Sequence, residues 1–144
     1  MEVRGWPCAV AISDGFVDAD LIDGLLTEAD APMEIRDRVR RNLQGDMTNS
    51  AFTYTNPERR MSVMYIGTAT SGREYMNSML HEFRHLVDQM SHAYGFDLDG
   101  EDSAYLAGDI AYQMSDIMCR YACDRCNHRE TWRTDSHSHT PSRI

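Results

Sequence analysis

The chain has 144 residues and a formal net charge of −9, with 42% hydrophobic and 26% charged residues, the size and composition of one soluble domain that can bury a core without disulfides. The acidic balance argues against a nucleic-acid surface, whose affinity rests on Lys and Arg neutralising phosphates. All 14 basic residues are arginine, which excludes Schiff-base and P-loop chemistry, since both need a lysine.

The opening residues MEVRGWPCAVAISDGFVDAD lack a basic segment followed by a long apolar one, and no apolar run reaches the length of a bilayer span, so a soluble, non-secreted protein is expected. Of the cysteines Cys8, Cys119, Cys123 and Cys126, three fall close together, a spacing that suits thiols or metal ligands in a reducing cytoplasm better than a disulfide framework.

In chain order, CAVAI at 8–12 is a short apolar run ended by SDG and predicts a first strand. DADLIDGLLTEA at 18–29 sets Leu21, Ile22, Leu25 and Leu26 at helical spacing behind acidic residues. Pro32 opens a second amphipathic helix in which Ile35, Val39 and Leu43 recur every fourth residue and Gly45 is the stop. The stretch 50–67, SAFTYTNPERRMSVMYIG, alternates Phe52 and Tyr54 with Thr53 and Thr55, turns at NPER and resumes in MSVMYI, the pattern of an antiparallel hairpin.

SGRE at 71–74 has the form of a capping box and predicts a helix from about Gly72 to a stop at Gly95, with Met76, Met79, Leu80, Phe83, Leu86, Val87 and Met90 as its core stripe. After the loop DLDGED, a second long helix is expected over SAYLAGDIAYQMSDIMCRYAC, with Ala104, Gly108 and Ala111 allowing close approach to a neighbour. Residues 1–127 read as a single α+β domain, with N-terminal helices, a small antiparallel sheet and two long helices, and 128–144 as a flexible tail.

The first long helix contains HEFRH. His81 and His85, at i and i+4, lie one turn apart on one face and can aim ring nitrogens at a single ion about 2 Å from each. Glu82 is rotated roughly 100° from His81 and suits the part of a base acting on metal-bound water. The stripe assigned to the core leaves His81, Glu82 and His85 on another face. A catalytic zinc takes three protein ligands and one water, so a third ligand is required. His92 is out of register for it; Glu101, at the start of the next helix, is the favoured candidate, with Asp102, Asp97 and Asp99 as competitors.

HEFRH followed sixteen residues later by Glu101 of EDSAYLAG resembles the HExxH zinc metallopeptidases of the zincin class, in particular small gluzincin-like proteins whose third ligand is a Glu in an ExxA helix. The hairpin at 50–67 is similar to the edge hairpin that zincins carry before the active-site helix. More loosely, 50–115 is similar to uncharacterised peptidases of gut bacteria and their phages. The resemblance covers about half the chain and implies a zinc ion held by His81, His85 and Glu101, with Glu82 as general base and a peptide or protein as substrate.

Arg84 departs from the family pattern, and no Tyr or His stands out as an oxyanion stabiliser; Tyr105 reads better as a buried aromatic. Asp88 and Asp109 are candidates to orient the histidines. The alternative reading is a non-catalytic, zinc-stabilised protein-interaction domain. Cys119, Cys123, Cys126 and His128 have donor atoms for a structural zinc, but free thiols are favoured. DLDGED lacks the Gly and Glu of a calcium loop. Oligomeric state is not legible.

Overall fold

The computed structural model describes residues 1–13, 15–16, 18–45 and 50–122. Eight elements follow in order: β1 (Glu2–Val3), β2 (Trp6–Ile12), α1 (Ala19–Glu28), α2 (Met33–Gln44), β3 (Ala51–Asn56), β4 (Met61–Ile66), α3 (Gly72–Tyr94) and α4 (Glu101–Ala122). The class is α+β, and the four strands form one sheet in the order β1-β2-β4-β3.

The sheet is mixed where an antiparallel one was expected. β3 and β4 form the antiparallel hairpin, Ala51 opposite Ile66 and Asn56 opposite Met61, and the turn is held by Asn56 Oδ1, which accepts from the backbone N–H groups of Glu58 and Arg59. β2 runs parallel to β4, Cys8 beside Ser62 and Ile12 beside Ile66. A parallel pair needs a long crossover, and the α1–α2 segment with the hairpin's first strand supplies it. The two-residue β1, pairing with β2, is too short to leave a periodic signal in the sequence.

Alternation along the strands gives the sheet two apolar faces. Val63 and Tyr65 pack with Ile22, Leu26, Val39 and Leu43 of α1 and α2. Met64 and Ile66, with Trp6 and Cys8, pack against Met79, Leu86 and Met90 of α3 and Leu106, Ile110 and Met114 of α4. Helices therefore cover both faces.

The sequence signals at the helix ends are physically realised. Ser71 accepts from the Glu74 N–H while the Glu74 carboxylate accepts from Thr70, and Gly95 closes α3 in the left-handed conformation (φ 74°) that glycine alone adopts without strain. α1 and α2 are joined by charge: Arg36 grips Asp23 through two hydrogen bonds of 2.8 and 2.7 Å, and Arg40 reaches both Asp23 and Asp20.

Two expectations about faces fail. In α4 the buried stripe is Ser103, Leu106, Ile110 and Met114, so Ala104, Gly108 and Ala111 point outward, and nothing lies within 4 Å of a Cβ built on Gly108. The larger apolar side chains compete better for the core than the small ones. In α3, Leu80 is exposed while Tyr75, Ser91 and Glu82 are buried. No helix among the described residues is long and apolar enough to cross a membrane.

Hydrogen bonds from Arg36 and Arg40 hold the Asp23 carboxyl down at about 2. Its folded value thus lies below its unfolded one, near 3.9, so its contribution to stability is complete above about pH 4 and lost as the pH falls towards 2. Asp23→Asn is expected to cost on the order of 1 kcal/mol at pH 7, the modest value of a solvent-screened pair, and to flatten the acid limb of stability between about pH 4 and pH 2, as read by urea unfolding at a series of pH values.

Candidate metal centre

The motif helix α3 lies beneath the β3–β4 half of the sheet, and α4 lies beside it, contacting α3 and β1. The two helices are antiparallel: Ser103 in the first turn of α4 donates to Ser91 near the end of α3 at 2.9 Å, and the ring of Tyr121 meets that of Tyr75 with centroids 5.5 Å apart. This arrangement decides which side chains meet the histidines.

His81 and His85 do come together. Both are exposed, and their Nε2 atoms are 3.1 Å apart with the rings nearly perpendicular, at 82°. With Zn–N bonds of about 2.0–2.1 Å, two nitrogens at that separation subtend roughly 100° at the ion, near the tetrahedral angle. The separation, which also suits a hydrogen bond between the two rings, is the one that two coordination positions of a tetrahedral zinc ion require.

Glu82 has a different environment from the one expected. It is only 3% exposed, lying where α3 passes under the edge strand, and Thr53 of β3 reaches down to it. The Thr53 Oγ1 is 2.8 Å from Glu82 Oε2 and 3.1 Å from the Glu82 carbonyl oxygen, so the hydroxyl donates into the carboxylate end of the residue that follows His81. Burial of a carboxylate is costly without such a donor. The sequence reading missed Thr53, although the AFTYTN alternation carried the signal: it sets Thr53 on the opposite face of β3 from Phe52 and Tyr54, towards α3.

Glu101 is not brought to the pair. It opens α4 next to the last turns of α3; the Ser91 level is six residues beyond His85, roughly 9 Å along the axis at 1.5 Å per residue, and Glu101 precedes Ser103, the residue at that level. Asp102 shares that position. Among the described residues no group of three His, Cys, Asp or Glu side chains converges on one point.

Asp88 and Asp109, the candidates to orient the imidazoles, are engaged elsewhere, Asp88 with Arg84 and Asp109 with Arg4. Tyr105 is 65% exposed on α4, not buried. Cys8 sits in the core, where burial pushes its thiol up to about 12, too high for a thiolate ligand or nucleophile at neutral pH. Cys119 is exposed on α4; Cys123, Cys126, His128 and the expected tail lie outside the described residues.

No family model, curated protein or solved structure matches the chain. The chemistry of the centre therefore stands on its own atoms: two convergent imidazoles at the surface and, one residue along, a buried carboxylate held by a threonine from the sheet edge.

Thr53→Val, which keeps the shape but removes the donor, is expected to destabilise the fold by about 1–3 kcal/mol, because the Glu82 carboxylate then stays buried without its partner. Thr53→Ser, which keeps the hydroxyl, should recover most of that loss in chemical unfolding.

Proposed function

We propose that the chain is a zinc-dependent peptidase in which His81 and His85 hold the metal and Glu82 is the general base. The observation that carries this reading is the 3.1 Å convergence of the two Nε2 atoms on consecutive turns. Support also comes from the position of β3, an edge strand directly above the helix that bears the motif, as in the zincin arrangement that the sequence resembles.

A bound zinc ion would supply a water of lowered pKa and polarise a scissile carbonyl. The chain's own part is to orient and to move a proton. His81 and His85 present imidazole nitrogens from consecutive turns of one helix that is packed on the sheet. Thr53 donates to Oε2 of Glu82 at 2.8 Å, which leaves the other carboxylate oxygen to take a proton from the attacking water and return it to the leaving amine. The low exposure of Glu82 keeps bulk water from competing for that proton.

Glu101 was the candidate for a third ligand. With Glu101 and Asp102 at the far end of α3, the described residues offer two protein ligands, one fewer than the three usual for a catalytic zinc, and solvent or substrate would have to complete the shell. A second reading, a zinc-stabilised domain that acts by contact, is favoured by one observation: the Thr53–Glu82 hydrogen bond alone gives Glu82 a purely architectural use.

The Glu82→Gln variant separates the two, because the amide oxygen can still accept from Thr53. The peptidase reading predicts zinc retained at the native level and hydrolysis of an unstructured protein substrate lowered by roughly 10²-fold or more; equal turnover by native chain and variant leaves the architectural use. His81→Ala should weaken zinc binding by at least about tenfold, whereas Glu101→Ala should leave it within about twofold, both followed by competition with a chromogenic chelator.

A further inference from the structure

A second feature lies on the opposite face of β3. The strand pairs with β4 on one side only among the described residues, and the open side of an edge strand is a template for one more strand. Between this strand and α2 is a cavity of about 200 Å³, walled by Val39 and Leu43 from the helix and by Phe52 and Tyr54 from the strand, with Arg38 and Asn42 also lining it.

The arginines of α2 are not equivalent. Arg36 and Arg40 are neutralised by Asp23 and Asp20, whereas the exposed Arg38 and Arg41 enter no ion pair among the described residues, and of these two Arg38 is the one that lines the cavity. An apolar-walled cavity with one unneutralised guanidinium and one amide is complementary to a short aliphatic stem that ends in a carboxylate: the stem packs on Phe52 and Val39, and the oxygens accept from the planar Arg38 fork. Alternate side chains of an extended chain point to opposite faces. A segment paired along β3 therefore sends every second side chain towards this groove, and the others towards the side where Thr53 and α3 lie.

We infer that the groove between α2 and β3 binds an acidic side chain, Glu or Asp, of an extended peptide segment that pairs with β3 as an added strand. Pairing along β3 rests on the peptidase reading; recognition of the carboxylate by the groove goes beyond it and needs no metal. The chain's own net charge of −9 sharpens the test: general electrostatics repel an acidic peptide, so a preference for one has to come from the local cation.

The experiment is fluorescence anisotropy of the metal-free full chain with a labelled hexapeptide Thr-Val-Thr-Glu-Thr-Val and the same peptide with Gln or Arg in place of Glu. The Glu peptide should bind about threefold to fivefold more tightly than the Gln peptide, the range of a solvent-exposed ion pair, and the Arg peptide more weakly still. Arg38→Glu should reverse that order, and Arg38→Gln should abolish it; circular dichroism reports whether each variant folds, and the peptide series on the native chain stands without them. N-methylation of alternate peptide residues should weaken binding in one of the two registers only, because only one set of amides faces β3. No binding, equal binding of all three peptides, or indifference to both N-methylated registers overturns the inference. So does a dimer in sedimentation that Arg38→Glu dissociates, since the groove then belongs to a second copy. None of these outcomes bears on whether Glu82 supports turnover, so the two proposals fail separately.

Discussion

A carboxylate tucked under the edge of a β-sheet needs a donor from the sheet, and the hydroxyl of Thr53 meeting Glu82 at 2.8 Å is the contact on which the rest of the arrangement turns. It ties the middle of α3 to β3, and so sets the rotation of the helix about its own axis. With Glu82 turned under the strand, Leu86 and Met90 follow into the core, and His81 and His85 are carried to the exposed flank. The same rotation that makes the core leaves two imidazoles side by side in solvent, an arrangement that packing alone does not require.

The order of the strands adds a second constraint. Because β2 pairs with β4, the hairpin strand β3 is left at the edge, and α3, packed on β3 and β4, occupies the outer half of its layer. α4 covers the opposite half, at the β1 edge, where Arg4, the residue after β1, and Asp109 meet at 2.6 Å. The second long helix is thus spent on covering the sheet. This explains why its acidic first turn lies near the end of α3 rather than against the histidines, and why Ala104, Gly108 and Ala111 face outward.

Much of the architecture was legible because local rules governed it. The Ser71–Glu74 cap, the glycine stop at Gly95, the Asn56 turn and the i, i+4 spacing of His81 and His85 are each determined by a few neighbouring residues. What was not legible depended on long-range choices. Parallel pairing of β2 with β4 has no local signature, since CAVAI reads alike in either orientation. The apolar stripe of α3 by itself leaves Glu82 on a face away from the core, and only the arrival of Thr53, 29 residues earlier in the chain, makes its burial tolerable. Likewise Glu101 was reached by counting along the chain, whereas its position is set by the antiparallel packing that pairs Ser91 with Ser103. Arg38 carries no distinguishing mark among the four arginines of α2; its distinction, a place beside the cavity with no ion pair among the described residues, appears only once Asp20 and Asp23 are seen to serve Arg36 and Arg40.

The proposed function requires that the His81–His85 pair bind metal rather than be a chance juxtaposition. X-ray absorption at the zinc edge of the full chain loaded with one equivalent of zinc tests this most directly. Two imidazole ligands at about 2.0–2.1 Å with oxygen donors completing the shell are expected, as is loss of that signature in His81→Ala. A shell dominated by sulfur, or a spectrum unchanged by His81→Ala, would contradict it.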